Sequence, residues 1–338
     1  MKMRRNQGDG DFFDQDDQAP EEADTVGGSS SGGSAPTGLT GVTYGEPTTF
    51  GSQPWHTERN WWKIPLSGEA NDVRSTFGTV GRLACAATSL RGNKHRLQAG
   101  VNQDSYSIVE VTTNDKETFL VAAVCDGMGS AAHSGYASRK AAAACTSVLS
   151  RALKIIGREM FDIPEERQAR LVQEIRKSVV TYDRGEFDAP PVAMESVATS
   201  DLQTTLSFAI VAAGGPEKFD LMTGTIGDSP VILIRNGIWE WTQSDASGSG
   251  LHSTASDGLI TTDVLDLNVT SLSAGDGLLI CTDGVGNYLR FNGAETPLGR
   301  DLRERWTTPP DRLQFIRDLS FEIQSADDDR TAVVIWAR

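Results

Sequence analysis

The chain has 338 residues, and its 46 acidic against 31 basic side chains leave a formal net charge of −15. Such a surplus repels phosphate backbones and argues against nucleic acid as a partner; it suits a chain that collects cations, although solubility alone also accounts for it. Aliphatic and aromatic residues make up 38% of the sequence, in runs far shorter than the roughly 20 apolar residues of a membrane span, so no membrane segment is expected.

The first residues, Met1, Lys2, Arg4 and Arg5, resemble the basic start of a signal peptide, but acidic and polar residues follow where an apolar stretch should stand, so export is not expected. Residues 1–40 join an acid-rich stretch, 9–24, to a Gly/Ser run, 27–34, and read as a disordered tail that either regulates or solubilises. Residues 41–78 are transitional. Trp55, Trp61 and Trp62 cluster there among polar residues, with Pro54 and Pro65 as breakers, and either dock a partner or pack on the domain edge.

From residue 79 to 338 the pattern is that of one globular domain. An apolar stretch at 81–87 and an alternating segment at 105–111 precede a buried strand at 119–125 that ends at Asp126-Gly127. Helical composition over 137–156 and helical spacing of Leu171, Ile175 and Val179 after Pro164 predict two long helices side by side in sequence. Strand-like runs follow at 205–212, 219–224, 231–235 and 238–241, the last two joined by the hairpin signal Asn236-Gly237. Residues 244–276, rich in Ser, Gly, Thr and Asp, read as a loop or flap over a site. A buried strand at 277–282 ends at Asp283-Gly284, and a helix at 311–323 precedes the acidic triplet 327–329 and a closing strand at 331–336. Cys85, Cys125, Cys145 and Cys281 are far apart, three of them in apolar runs, as expected of reduced thiols in a cytoplasmic protein.

Acidic residues stand where strands start or stop: Asp104 before one, Asp126 and Asp283 after two others, Asp328 before the last. A carboxylate at the end of a buried run is held on a rigid element yet reaches the rim. Oxygen ligands select hard cations, magnesium or manganese over zinc. Either Asp-Gly taken alone reads as a plain turn. Four such positions in order point to a metal site.

The order and wording of these motifs resemble the metal-dependent (type 2C) protein phosphatase family, in its divergent bacterial branch, over roughly residues 80–338. Asn102-Gln103-Asp104 resembles the family's Asn-Glu-Asp, and Asp126-Gly127-Met128-Gly129-Ser130 its Asp-Gly-x-Gly-Gly. Thr204-Thr205-Leu206 is similar to a Gly-Thr-Thr strand start, and Gly227-Asp228-Ser229-Pro230 to Gly-Asp-Ser-Arg. Thr282-Asp283-Gly284-Val285 resembles Ser/Thr-Asp-Gly-Val, and Asp328-Asp329-Arg330-Thr331 the terminal Asp-Asn-x-Thr.

The resemblance implies an α+β fold, a four-layer αββα sandwich of two mainly antiparallel sheets flanked by helices. It implies two divalent cations, Mn2+ or Mg2+: Asp126 bridges both, the Gly127 carbonyl binds one, Asp283 and Asp328 bind the other, and Asp104 holds a metal-bound water. Asp126 and Asp283 are then the catalytic acids, and a bridging water attacks phosphorus without a phosphoenzyme.

Several positions depart from the pattern. The family's phosphate-binding Arg is Ala99 here, which leaves His95 and Arg96 as the nearest basic candidates, His95 being equally a surface residue. Met128 replaces a His that many members use as general acid, which implies unassisted departure of the leaving group. Asp329 stands where Asn is usual, either strengthening metal binding or lying in solvent, and Pro230 replaces an Arg as a structural residue. Asp201 reads as a ligand of a further metal or as a solvated turn residue.

The expected function is thus a cytoplasmic, monomeric phosphoprotein phosphatase acting on phosphoserine and phosphothreonine placed by a cognate kinase. The alternative is a catalytically weak interaction or regulatory module with the same fold, which the missing Arg motivates. An aspartyl-nucleophile hydrolase needs Asp-x-Asp after a strand, and a serine or cysteine hydrolase needs a nucleophile elbow. The sequence has neither.

Overall fold

A computed structural model describes residues 38–44, 72–98, 100–181, 197–214, 217–242, 258–262, 265–323 and 326–338. The acidic and Gly/Ser-rich stretches of the expected tail, the tryptophan cluster, Ala99 and much of the expected flap lie outside them. Strands β1 (Gly38–Tyr44), β2 (Val73–Val80) and β3 (Leu83–Leu90) lead to a short helix, α1 (Asn93–Leu97), and to strands β4 (Ser105–Thr112) and β5 (Thr118–Cys125). Two helices follow, α2 (Ser134–Ile156) and α3 (Glu165–Val180), then strands β6 (Leu206–Ala212), β7 (Lys218–Ile226), β8 (Val231–Arg235), β9 (Ile238–Trp241), β10 (Asp266–Ser273) and β11 (Gly277–Cys281). The chain closes through α4 (Asp283–Gly286), β12 (Arg290–Phe291), β13 (Ala294–Glu295), α5 (Pro297–Arg305), α6 (Arg312–Leu319) and β14 (Arg330–Ala337).

Strands β12 and β13 pair as a separate hairpin, and the other twelve form two antiparallel sheets, one of seven in the order β1-β2-β3-β14-β11-β8-β9 and one of five in the order β10-β7-β6-β5-β4. Their inner faces interdigitate through Leu83, Tyr106, Leu120, Val124, Val211, Leu278, Ile280 and Val333, all buried. Removing such large side chains from water supplies about 1.5–3 kcal/mol each, which makes this layer the main source of cohesion. On the outer face of the seven-stranded sheet, Leu302, Trp306, Phe315 and Leu319 of the α5–α6 region pack on Ile234, Leu279, Val334 and Trp336. Helix α2 lies on β4 and β5 with α3 beside it, so the layers run helix, sheet, sheet, helix, as expected.

The alternation and hairpin signals mark their elements correctly, and Asn236 and Gly237 both take positive φ (52° and 70°) in the β8–β9 turn. Three expectations need correction. The boundary at residue 79 cuts through β2, a full member of the seven-stranded sheet. Its Thr- and Ser-rich sequence hides it, because it is tied by hydroxyls: Ser75 Oγ lies 2.9 Å from Thr88 Oγ1, and Thr76 Oγ1 2.9 Å from Tyr106 OH. Within the expected flap, residues 266–273 form the edge strand β10, half-exposed along its length and carrying Asn, Thr and Ser between its apolar residues. The helix expected over 311–323 ends at Leu319, starting from an Asp311 cap whose side chain accepts the Gln314 N–H.

Candidate metal centre

Five acids meet at corresponding ends of the two sheets. Asp126 follows β5, Asp228 follows β7 and Asp283 opens α4 directly after β11; Asp104 immediately precedes β4, and Asp328 stands shortly before β14. Their fields overlap: Asp126 feels Asp104, Asp283, Asp228 and Asp328, and Asp283 feels Asp228 and Asp328.

Hydroxyl residues from the same motifs hold these acids in place. The Asp126 N–H donates to Thr205 Oγ1 (2.9 Å), and its carbonyl accepts the Thr205 N–H and the Thr204 hydroxyl at 2.8 Å each. Thr205 Oγ1 in turn lies 2.7 Å from Ser229 Oγ. Asp104 donates its N–H to Asn102 Oδ1 (2.9 Å), and its Oδ2 accepts the Thr282 hydroxyl (2.7 Å). Asn102 Nδ2 and Thr331 Oγ1 both donate to Ser89 Oγ, at 2.9 and 2.8 Å, which joins the first motif to the last. At Gly127 a Cβ would stand 2.5 Å from the Gln103 carbonyl and 2.8 Å from that of Ser134, so only glycine lets the chain pass here.

Burial pushes the Asp104 and Asp126 carboxyls well above the usual carboxylate range, with the neighbouring acids adding to the effect, and raises Asp283 for the same two reasons. Crowded, desolvated carboxylates resist ionising together. Protonation relieves that crowding, and so would a divalent cation. The donor set, carboxylate oxygens plus peptide carbonyls without thiolate or free imidazole, fits hard cations.

Asp104, Asp126, Asp283 and Asp328 are therefore brought together, with Gly127 among them. The other expected residues have different partners. His95 is buried, 6% exposed, so the surface reading is overturned: its Nδ1 lies 2.8 Å from Asp329 Oδ2, which raises its pKa. Asp329, 2% exposed, does not lie in solvent. His95, Asp328 and Asp329 offer ligand atoms within 4.8 Å of one another. Arg96 leans on Asp72, Nε to Oδ1 3.7 Å, and shares that wholly buried carboxylate with Arg91. The Asp201 carboxylate turns back onto its own short helix and accepts the Ala198 N–H (3.3 Å).

The acid that sequence reasoning passed over is Asp228. It follows β7 across Gly227, as Asp283 follows β11 across Thr282, but it lies beyond the apolar run at 219–224 that marked the strand. Arg176 of α3 also went unmarked: its Nε donates to the Leu259 carbonyl (2.9 Å) and its Nη2 to that of Thr262 (2.6 Å). This pins residues 258–262 beside Met128 and Gln203.

A protein-family model described as protein phosphatase 2C matches residues 91–313. Among solved structures, a bacterial serine phosphatase superposes with a TM-score of 0.50 at 16% identity, covering 75% of this chain and 97% of its own. The Ser-Thr phosphatase MsPP of Mycobacterium smegmatis gives 0.48 at 19% identity (77% and 100%), and the phosphatase Stp1 of Staphylococcus aureus 0.49 at 15% (77% and 96%). At such identities the likeness concerns the fold. No curated protein matches the chain in sequence.

Proposed function

Because the chain belongs to the protein phosphatase 2C family and is a phosphoprotein phosphatase, we propose that it hydrolyses phosphoserine and phosphothreonine in proteins with two divalent cations, Mn2+ or Mg2+. The observation that carries this reading is the convergence of Asp104, Asp126, Asp283 and Asp328, with the Asp126 and Asp283 carboxyls raised in pKa by desolvation and by the neighbouring acids. Asp126 and Asp283, with Asp328 and the Gly127 carbonyl, are the proposed cation ligands. When bound, such a pair of ions supplies an activated water and neutralises charge on the phosphoryl oxygens.

The chain's own residues set the geometry. Thr204 and Thr205 fix Asp126 through its backbone, and Thr282 aims Asp104 Oδ2, which leaves the other Asp104 oxygen to orient the attacking water. Met128 has no proton to give, so the serine or threonine oxygen departs without a side-chain acid there. The substrate is the phosphorylated product of a Ser/Thr kinase, and the enzyme acts as a cytoplasmic monomer. One observation favours the second reading, a catalytically weak regulatory module: Arg91 and Arg96 are both engaged by Asp72.

Hydrolysis of p-nitrophenyl phosphate and of a phosphothreonine peptide, measured with Mn2+, with EDTA, and for Asp126→Ala and Asp283→Asn, tests the proposal. Turnover that needs Mn2+ and falls by orders of magnitude in both variants supports it. Rates indifferent to all three changes rule out the metal mechanism, and tight Mn2+ binding without turnover favours the regulatory module.

A further inference from the structure

The Asp329 carboxylate gathers three donors from the other end of the chain: the Gly92 N–H on Oδ1 (2.6 Å), and the Gln103 N–H (2.6 Å) and His95 Nδ1 (2.8 Å) on Oδ2. Asp329 thereby lies against residues of the acid cluster. Gln103 precedes Asp104, and the Asp329 N–H donates to Asp328 Oδ1 (3.0 Å). Its carbonyl packs so closely on Gly284, beside Asp283, that a Cβ there would stand 1.9 Å away. Helix α1 is tied to the same turn by the Lys94 N–H, which donates to the Asp327 carbonyl (2.9 Å).

We propose that His95 and Asp329 form a positioning pair that sets the spacing of Asp104, Asp283 and Asp328 and thereby the affinity of the centre for divalent cations, a role that rests on the dinuclear reading above. The pair also accounts for one departure from the family pattern, Asp329 where Asn is usual. A carboxylate accepts on both oxygens, whereas an amide at 329 would turn an NH2 toward one set of these donors. With an imidazole N–H and two backbone N–H groups converging there, Asp fits and Asn does not. His95 thus acts through Asp329, as outer groups do around metal ligands.

Calorimetric titration of Mn2+ into the full-length, metal-free protein tests this, with His95→Ala, His95→Asn and His95→Gln beside the wild type. An asparagine amide reaches the position of imidazole Nδ1, whereas glutamine reaches that of Nε2. Loss of the donor in His95→Ala should weaken Mn2+ binding about 10- to 100-fold, with His95→Asn recovering most of it and His95→Gln little. Wild-type affinity in His95→Ala, whatever its melting temperature, overturns the proposal, because a merely structural clasp would shift the melt alone. Should His95→Ala not fold, the other two variants carry the comparison: weaker binding by Gln than by Asn supports the pair, and equal binding overturns it. If the wild type itself binds no Mn2+, the dinuclear reading is what fails; unchanged affinity in the variants sinks only the positioning role.

Discussion

The Thr282 hydroxyl stands between Asp104 and the last strand, donating to Asp104 Oδ2 at 2.7 Å while accepting the Thr331 N–H at 3.0 Å. Thr282 and Thr331 are fully buried and Asp104 nearly so, so nothing else replaces these bonds cheaply. Thr282→Val keeps the shape but leaves an acceptor and a donor unmet, a loss of about 1–3 kcal/mol for each buried group. Thermal unfolding of the metal-free protein should show that loss for Thr282→Val and little change for Thr282→Ser. Equal melts for the two variants would show that the hydroxyl carries no weight.

The raised carboxyls of Asp104, Asp126 and Asp283 fix the sign of a pH effect. A group whose pKa is higher folded than unfolded contributes stability below the unfolded value, and that contribution disappears as pH rises through the folded one. The metal-free centre therefore weakens the fold on going from about pH 4, the ordinary carboxylate value, toward neutrality. Cations bind the deprotonated acids, so they oppose the trend and release protons. Mn2+ at about 100 times its Kd adds roughly 2.7 kcal/mol, and the gain should be larger at pH 7.5 than at pH 5. Melting curves with Mn2+ and with EDTA at both pH values check it; a gain that is larger at pH 5 contradicts the assignment.

The elements legible in the sequence are those whose pattern matches their burial. The continuous apolar runs of β5, β6 and β11, the helical spacing in α3 and the Asn236-Gly237 turn mark themselves, and the acids Asp104, Asp126, Asp283 and Asp328 stand at strand ends that the runs define. Strand β2 escaped because hydroxyl pairs such as Ser75 with Thr88 replace an apolar face. Strand β10 escaped because it lies at a sheet edge, half-exposed along its length. The partnership of His95 with Asp329 spans 234 positions, and no local period records a contact of that length. Asp72, which takes up Arg91 and Arg96, was hidden for the same reason.

All four cysteines are free and buried. Burial pushes the Cys85 thiol up to about 12 and raises the other three as well. Thiolate is the reactive form, so Ellman's reagent at pH 8 should label none of the four in the native protein and all four in guanidinium. Prompt labelling of the native protein would contradict the packing of β3, β5, α2 and β11.

Asp228 adds a like charge to both Asp126 and Asp283. Asp228→Asn removes it, so the metal-free protein should gain stability on the order of 1 kcal/mol, the scale of a partly exposed charge pair. The same change lowers the negative field that draws cations, so Mn2+ should bind more weakly. Paired melting and titration experiments read both effects, and a variant that loses stability without metal would show that Asp228 holds the fold by its hydrogen bonds instead.

Arg176 holds the Leu259 and Thr262 carbonyls with one guanidinium, and the Leu259 N–H donates to the Thr204 carbonyl at 2.8 Å, next to the residue that fixes Asp126. Residues 258–262 are thus fastened from two sides, to a helix and to the segment just before β6. A lysine cannot span two carbonyls as the guanidinium fork does, so both Arg176→Lys and Arg176→Ala should free the segment. Hydrogen exchange of the Leu259 and Thr261 amides should then quicken by about a factor of 10 for each 1.4 kcal/mol of lost local stability. Because Gly258 abuts Met128 and Gln203, a loosened segment should raise the KM for a phosphothreonine peptide, which needs a shaped entrance, more than that for p-nitrophenyl phosphate. Equal changes for the two substrates would separate the latch from substrate access.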